Sequence, residues 1–298
     1  MQKKEVRKAV VTDGGYATRF FPVTKTVPKC MLPVLDKPIA HHVIKECMEA
    51  GITEIILVAT QEGKDFYDDY FHNTVQHIYE QLTKQNKTNR FEKIREVFSL
   101  PNVIVIAQDK SLPYGTAAPI ISAKPYLGDE PFLHLYADDM VLGESACKEL
   151  VEDYHRLSDD VAAIIAAKHM PNIDVTKYGI IKIKDNTENE LEAIIEKPSV
   201  ENAPSRLISL GRFLYTPEIF NYLSAESQYL GKDNELWMSD TVWRMAKEKK
   251  VTVTPISGEW KTTGDPLNYL KTIIDYALVD PDFNGEFREY LRDVVARQ

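Results

Sequence analysis

Several features that define large protein classes are scarce or missing in this sequence. Its 298 residues include three cysteines, Cys30, Cys47 and Cys147. Their odd number and wide spacing favour neither a disulfide framework nor a zinc cluster, and they fit a reducing compartment. No apolar run approaches the roughly 20 residues of a membrane span, and the first apolar run is too short for a signal peptide. We therefore expect a cytoplasmic protein without a membrane partner.

The chain also has fewer basic than acidic residues. The chain has 36 Lys and Arg against 45 Asp and Glu, a net charge of -9, and a pI near 5.4. This balance argues against a nucleic-acid partner. Hydrophobic residues make up 44% and charged residues 27%, which is ordinary for a globular enzyme. The composition therefore predicts an enzyme that acts on small molecules.

Neither of the two familiar phosphate-binding sequences, GxxxxGK[ST] and GxGxxG, is present. The segment of residues 14–33 nevertheless reads GGYATRFFPVTKTVPKCMLP. Its two glycines directly follow an apolar strand candidate and let the backbone pass close to a ligand. No acidic residue occurs between these glycines and Asp36, and the basic side chains there are Arg19, Lys25 and Lys29. A cationic loop in an acidic protein predicts a bound polyanion, most simply a nucleoside triphosphate.

Short β-rich runs alternate with amphipathic stretches in the first half of the chain, which predicts βαβ units and a mainly parallel sheet. The strands predicted there are Ala9–Thr12, Glu54–Thr60, Val103–Ala107, Phe132–Tyr136 and Val161–Ala167. The second half is predicted to be more antiparallel, with strands at Gly179–Ile183, Leu191–Ile195, Leu207–Leu214 and Val251–Ile256. The predicted helices are Ile39–Ala50, Thr116–Lys124, Ser145–Leu157, Ser239–Lys249, Pro266–Leu278 and Phe283–Arg297.

Residues 61–98 interrupt this alternation. They are highly charged and carry spaced apolar residues, which predicts two or three helices outside the sheet, with the charges on a solvated face. The sequence contains no internal repeat or low-complexity linker. We therefore predict one domain over residues 1–298, with 61–98 as a helical insertion and C-terminal helices within 266–298.

Carboxylates follow the strand Phe132–Tyr136 directly, at Asp138 and Asp139. Ligands of open α/β sheets bind at the carboxyl ends of the strands, and Mg²⁺ takes one or two carboxylates together with substrate phosphates. The alternative is that these residues cap a loop or the next helix. Asp265 before Pro266 is typical of a helix N-cap, but it would share a cation with Asp138 if the two lay side by side.

The sequence Glu196-Lys197-Pro198 follows the strand Leu191–Ile195. Proline restricts the residue before it, so we predict an extended Lys197 with a fixed direction. Such a lysine would meet a sugar phosphate, and Glu196 would accept hydrogen bonds from sugar hydroxyls. The alternative is an exposed turn.

Gln108 and Gly115 follow the strand Val103–Ala107. A side-chain amide can pair with the edge of a base, and glycine lets the backbone approach that base. Many ordinary loops contain these two residue types, so the pattern alone is weak.

In this order, the segments resemble the bacterial UTP–glucose-1-phosphate uridylyltransferases of the sugar nucleotidyltransferase superfamily. The resemblance runs from about Lys8 to Leu278. It is carried by RFFPVTKTVPKCMLPVLDKP (19–38), EAGITEIILV (49–58), AKPYLGDEPF (123–132), ADDMVL (137–142), EKP (196–198), GRFLYTPEIF (211–220) and GDPLNYLK (264–271). It implies a Rossmann-like α/β nucleotidyltransferase fold with a mixed, mainly parallel central sheet flanked by helices, plus a helical insertion at 61–98.

The resemblance also implies a reaction, in which UTP and glucose 1-phosphate give UDP-glucose and pyrophosphate with Mg²⁺ as the cofactor. It implies a homo-oligomer as well. The resemblance finally implies roles for individual residues. Arg19 and Lys29 would bind the triphosphate, Gly14 and Gly15 would contact the nucleotide, and Gln108 and Gly115 would recognise the uracil. Asp138 would bind Mg²⁺ and the nucleotide, Asp265 would also bind Mg²⁺, and the contacts to glucose 1-phosphate would come from Gly179, Glu196, Lys197 and Gly211, with Lys197 on the phosphate.

The opening loop departs from the pattern AAGxGTR of these relatives. Ala17 stands in place of a glycine, which fits without strain only if its φ is negative; otherwise we expect a cost of about 1 kcal/mol. Asp13 brings a carboxylate towards the polyphosphate site, and Cys30 replaces a glutamate. Two alternatives therefore remain: transfer with another nucleotide or hexose 1-phosphate, such as dTTP, and a non-catalytic regulator that binds nucleotide sugars.

Overall fold

The computed structural model describes residues 3–224, 230–231 and 234–297. The strands are β1 (Lys8–Asp13), β2 (Pro33–Val34), β3 (Lys37–Pro38), β4 (Glu54–Ala59), β5 (Asn102–Ala107), β6 (Phe132–Tyr136), β7 (Asp139–Leu142), β8 (Val161–His169), β9 (Gly179–Ile183), β10 (Leu191–Glu196), β11 (Leu207–Tyr215), β12 (Lys250–Pro255) and β13 (Glu259–Thr262). The helices are α1 (Ile39–Glu49), α2 (Lys64–His72), α3 (Gln76–Lys84), α4 (Glu92–Phe98), α5 (Ala118–Leu127), α6 (Ala146–Arg156), α7 (Met238–Ala246), α8 (Pro266–Val279) and α9 (Asn284–Ala296).

A central sheet has the order β10-β9-β11-β6-β1-β4-β5, and β8 joins it beside β11 and pairs with β12. Strand β1 is parallel to both β4 and β6, and β4 is parallel to β5. Strand β11 is antiparallel to β6, β8 and β9. The predicted α/β class with a mixed sheet is confirmed. In this sheet the strands from the first half of the chain pair with each other in parallel, and the second half is mainly antiparallel, although β12 is parallel to β8.

Helices cover both faces of the parallel strands. Ala9 and Val11 of β1 belong to one buried apolar cluster, which α1 and α6 complete. Val10 points to the other face, where α5 packs on β1 and β4. Burial on both faces explains why these strands read as continuous apolar runs instead of alternating ones. No helix within the described ranges is both long enough and apolar enough to span a membrane.

Residues 61–98 form α2, α3 and α4, joined by turns and a short 3-10 helix at Thr88–Phe91. Helix α2 packs against β5 and α4 and buries Tyr67 and Phe71. Helix α3 buries none of its residues, and its Ile78 is 38% exposed. The charges of this segment therefore lie on helices at the outside, while Tyr67 reaches into the core.

Two strands that the sequence did not predict, β7 and β13, lie beside the carboxyl ends of β1 and β6. Strand β7 begins at Asp139 and pairs antiparallel with β13, with Trp260 opposite Val141. The alternative that Asp138 and Asp139 cap the next helix is wrong, because Ser145 accepts the capping hydrogen bond of α6. Four-residue strands are too short for their alternation to stand out in a sequence. This pairing brings residues 263–265 next to Asp138.

Candidate active site

The carboxyl ends of β1, β5 and β6 open into a cleft of about 470 Å³. Its opposite wall comes from β9, β10 and β11. Most residues to which the family resemblance gives a role line this cleft. They are Gly14, Gly15, Arg19, Lys29, Gln108, Gly115, Asp138, Gly179, Glu196, Lys197 and Gly211. Asp265, which also has an implied role, does not line it. The fold therefore gathers residues from six separate parts of the sequence into one concave site, as expected where parallel strands end.

An ion pair between Lys29 and Asp138 lies at the centre of the cleft. Lys29 begins a short 3-10 helix (Lys29–Met31), and its Nζ is 2.5 Å from Asp138 Oδ2. Burial disfavours the charged form of each residue, but the attraction between the two opposite charges outweighs this penalty. The pKa of Asp138 is therefore lowered and the pKa of Lys29 is raised. Both groups are charged at neutral pH, so the site presents a cation and a carboxylate together.

Asp13, at the end of β1, is held from the side of the helical segment. Its Oδ2 accepts a hydrogen bond from the buried Tyr67 hydroxyl of α2. Burial raises the pKa of Asp13, although Lys29 and this hydrogen bond oppose the shift. One carboxylate oxygen is thus turned towards α2, which reduces the repulsion between this carboxylate and a polyphosphate in the site. Nothing in the sequence pattern pointed to Tyr67, since it reads as an ordinary apolar-face residue of a helix.

Ala17 has φ 47° and ψ 44°, which is the left-handed region that favours glycine. The condition for a strain-free alanine is therefore not met, and a cost of about 1 kcal/mol is expected. Its carbonyl accepts hydrogen bonds from Phe20 N at 3.0 Å and from Thr24 Oγ1 at 2.9 Å. These bonds hold the strained turn, so Arg19 leaves it in a fixed direction, and Arg19 Nη1 donates to Gly264 O at 3.3 Å.

The glycine-rich start of the loop packs against Gln108. A Cβ atom at Gly14 would lie 2.3 Å from Gln108 Oε1, so only glycine allows this side chain to cross the loop. Gly15 is exposed, and a Cβ atom there would lie 3.6 Å from the Tyr114 hydroxyl. The structure therefore brings three of the predicted nucleotide-site residues, Gly14, Gly15 and Gln108, together with Tyr114.

Asp265 is the N-cap of α8. Its Oδ1 accepts from Asn268 N at 3.0 Å, and its Oδ2 accepts from Asn268 Nδ2 at 2.6 Å. Burial opposes ionisation, but these hydrogen bonds outweigh it and lower the pKa of Asp265. The chain just before Asp265 contacts Asp138, because Thr263 N donates to Asp138 O at 2.8 Å. The predicted capping role of Asp265 is therefore seen directly, while a cation shared with Asp138 stays a prediction.

Asp139 lies beside Asp138 but is held differently. Its Oδ1 accepts a hydrogen bond from Trp260 Nε1 at 3.0 Å. Burial and the negative charge of Asp138 raise the pKa of Asp139 to about 7. Two neighbouring carboxyl groups therefore differ in how readily they ionise: at neutral pH Asp138 is charged and Asp139 is only partly so.

Lys197 stands on the opposite wall with an unexpected backbone. Its φ is 47°, so the prediction of an extended residue before Pro198 is wrong. The chain turns sharply where β10 ends, and Lys197 N donates to Tyr178 O at 3.0 Å. Its Nζ lies 3.9 Å from Glu196 Oε1 and 5.6 Å from the ring centre of Trp237. A carboxylate and an aromatic face therefore set the direction that the proline was expected to set.

The segment 235–238 is part of the site although the sequence gave no sign of it. Leu236 N donates to Tyr114 O at 2.8 Å, and Leu236 O accepts from Ala117 N at 3.0 Å. Gly115, with φ 141°, is required here because a Cβ atom would lie 2.3 Å from Leu236 O. These contacts link the loop after β5 to Trp237, and so to Lys197.

The chemistry of the donor set suits a hard cation. In the part of the chain that is described, no three His, Cys, Asp or Glu side chains converge as a metal site. Mg²⁺ needs fewer, since substrate phosphates and water complete its six oxygen ligands. Ionised Asp138, facing the cleft, meets that requirement.

The chain belongs to the nucleotidyl transferase family, because the model of that family matches residues 8–277. A UTP–glucose-1-phosphate uridylyltransferase of Staphylococcus epidermidis is 34% identical over 294 residues, which are 98% of this chain and 99% of the relative. A structure of UDP-glucose pyrophosphorylase complexed with UDP-glucose has a TM-score of 0.79 at 30% identity and covers 91% of this chain and 98% of its own. UTP-bound UGPase from Acinetobacter baumannii gives a TM-score of 0.82 at 27% identity, over 96% and 98%.

Within that family the chain is one of the UTP–glucose-1-phosphate uridylyltransferases. The resemblance inferred from the sequence is thereby confirmed.

Replacing Asp13 by Asn should change the pH dependence of stability. The folded state raises the pKa of Asp13 above the value of about 3.9 for an unfolded chain. The contribution of a group of this kind is complete below the unfolded pKa and is lost as pH rises through the folded pKa. The free energy of unfolding of Asp13→Asn minus that of the wild type should therefore grow as pH rises above about 4, measured by urea denaturation.

The matched control is Asp174→Asn. Hydrogen bonds from Thr176 lower the pKa of Asp174. Its contribution to stability is therefore complete above the unfolded pKa of about 3.9, so the difference between this variant and the wild type should stay constant as pH rises further. A difference for Asp13→Asn that is flat or falls with pH would show that the carboxyl of Asp13 is not destabilised by folding.

Proposed function

We propose that this chain transfers a uridylyl group from UTP to glucose 1-phosphate, giving UDP-glucose and pyrophosphate. The observation that carries the proposal is the cleft itself, where Lys29 and Asp138 at the strand ends face Lys197 on the opposite wall. Relatives that carry this activity in their name match nearly the whole chain, and the structural neighbours hold UDP-glucose and UTP.

The proposed reaction is an in-line displacement. A phosphate oxygen of glucose 1-phosphate attacks the α-phosphorus of UTP and forms a new P–O bond. The bond from that phosphorus to the oxygen that bridges to the β-phosphorus breaks, and pyrophosphate leaves with the electron pair. The substrate supplies the nucleophile, so the protein contributes positioning and neutralisation of charge.

The roles proposed for the side chains follow from where they lie in the cleft. Lys29, which now pairs with Asp138, and the exposed Arg19 bind the triphosphate and the leaving pyrophosphate. Lys197 binds the phosphate of the sugar, and Glu196 accepts from its hydroxyls, with Gly179 and Gly211 beside it. Gln108 and Gly115 read the uracil, while Gly14 and Gly15 offer their backbone to the nucleotide.

We propose that Mg²⁺ is the cofactor and that Asp138 holds it. When bound, the ion stabilises negative charge on the phosphates. We propose that Asp265 contributes to the same site. Each of its oxygens accepts one hydrogen bond from Asn268 and keeps a lone pair for a cation.

Two further proposals follow from the sequence, and a third follows from the family resemblance. They are a single nucleotidyltransferase domain over residues 1–298, a cytoplasmic location and a homo-oligomer. Exposed apolar side chains on α8 and α9, among them Leu267, Leu270 and Val295, support the last of these.

The assignment is tested by incubating purified protein and Mg²⁺ with each nucleoside triphosphate and hexose 1-phosphate while pyrophosphate release is recorded. UTP with glucose 1-phosphate should give the highest kcat/KM. A higher value with dTTP or another hexose 1-phosphate would assign a different member of the family. Binding of UDP-glucose without any turnover would instead identify a regulator.

Asp138→Ala should reduce kcat below about one hundredth of the wild-type value, since the proposed cation loses its anchor. Thermal unfolding should remain cooperative, because Asp138 is only partly buried. Asp36→Ala removes a carboxylate that pairs with Lys93 on the surface and should leave turnover unchanged. Near-normal turnover of Asp138→Ala would remove Asp138 from the reaction.

Lys197→Ala should raise KM for glucose 1-phosphate by roughly tenfold or more, the equivalent of one charge-assisted hydrogen bond. The KM for UTP should change less than about twofold, because Lys197 is on the wall opposite the triphosphate residues. Lys182→Ala is the control, since Lys182 pairs with Glu192 on the exposed part of the same sheet. An unaltered KM for the sugar phosphate would return Lys197 to the role of an exposed turn residue.

A further inference from the structure

A buried ion pair lies directly beneath the Asp138 turn. Glu46 of α1 and Arg212 of β11 face each other, and the Arg212 side chain is 0% exposed. Arg212 Nη2 is 2.9 Å and Nε is 3.1 Å from Glu46 Oε2. Glu46 Oε1 also accepts from Cys147 N of α6 at 3.2 Å. The carboxylate is thus fixed by two helices before it meets the guanidinium.

A bulge in the backbone of β11 places the Arg212 side chain beside Glu46. The register of β11 against β8 shifts between Ser209 and Phe213, and Gly211 within that bulge has φ 63°. A Cβ atom at Gly211 would lie 2.6 Å from Tyr136 Cδ2 and 2.7 Å from Asp139 Oδ2. Glycine at this position therefore lets the bulge press against the turn and leaves the next side chain beneath it.

The remaining N–H groups of Arg212 bind the main chain of that turn. Nη1 donates to Tyr136 O at 3.1 Å, and Nη2 donates to Asp139 O. These two carbonyls lie on either side of Asp138 in the sequence. One rigid side chain with several donors therefore holds both ends of the segment that carries the Asp138 carboxylate.

Stability by itself is a weak explanation for such an arrangement. Taking two charges out of water offsets much of their attraction, and buried pairs can often be replaced by apolar residues without loss. A positioning role makes fuller use of the contacts, since a displacement of about 1 Å at a reacting group can lower a rate roughly a hundredfold.

We propose that Arg212, oriented by Glu46, is a positioning residue for the transfer reaction. It fixes the main chain on both sides of Asp138 so that this carboxylate faces Lys29 and the substrate phosphates. The inference rests on the proposed function of Asp138 in nucleotidyl transfer.

The decisive variant is Arg212→Lys, compared with the wild type in the same assay. Lysine keeps the charge and can still pair with Glu46, but one ammonium group cannot reach Glu46 and both carbonyls. We expect kcat to fall by about 10- to 100-fold, with KM for either substrate within about threefold of the wild type. Glu46→Gln, which keeps an acceptor for Cys147 N but loses the charge, should lower kcat in the same direction by a smaller factor.

Val43→Ala is the matched control for a purely structural role. Val43 lies on α1 with Glu46 and is 1% exposed, so its truncation lowers Tm without touching the Asp138 turn. It should keep the wild-type kcat. If Val43→Ala and Arg212→Lys lose kcat in proportion to their loss of Tm, or if Arg212→Lys keeps the wild-type kcat, the positioning role is wrong.

A crystal structure of Arg212→Lys tests the inference independently of the reaction. The backbone of residues 136–139 should be displaced, and the Lys29–Asp138 pair should lengthen. A turn that superimposes on the wild type would overturn the inference. Absence of turnover in the wild-type protein would instead refute the proposed function. A displaced turn in Arg212→Lys would then still support the structural contact, but not a role in the reaction.

Discussion

An ion pair between Lys29 and Asp138 joins two loops that are far apart in the sequence and that both line the cleft. Its 2.5 Å contact depends on the parallel order of β1 and β6, which ends both strands at the same edge of the sheet. Burial penalises each charge, so neither residue would remain ionised there alone. The pair keeps a cation and a carboxylate ready at the place where a triphosphate would bind.

The acidic residues around this pair are kept in different states by different partners. Tyr67 donates to Asp13, Trp260 donates to Asp139, and Asn268 donates to Asp265. The result is a site with several carboxyl groups in which Asp138 carries the charge that faces Lys29. A net charge of -9 for the whole chain is therefore compatible with binding a polyanion, because the charges that matter are local.

Sequence reasoning was strongest for long apolar runs and for residues at strand ends. The predicted strands and helices agree with the structure to within about three residues, since burial of an apolar face acts at every turn of the pattern. Sequence reasoning was weakest for short strands and for the backbone conformation of single residues. The strands β7 and β13 are four residues long, and the left-handed φ of Ala17 and Lys197 is imposed by tertiary contacts that oppose local preference. Tyr67 and Trp237 contact site residues, yet neither occurs in a recognisable pattern.

The sequence by itself determined the α/β class, the cationic loop at 14–33 and the family, because each of these depends on residue types repeated or ordered along the chain. Only the tertiary structure decided which side chains meet. It set Arg212 under the Asp138 turn and turned Asp13 towards α2. These outcomes depend on distances between residues more than 50 positions apart. Such distances are fixed by packing of the whole sheet and its helices and leave no local mark in the sequence.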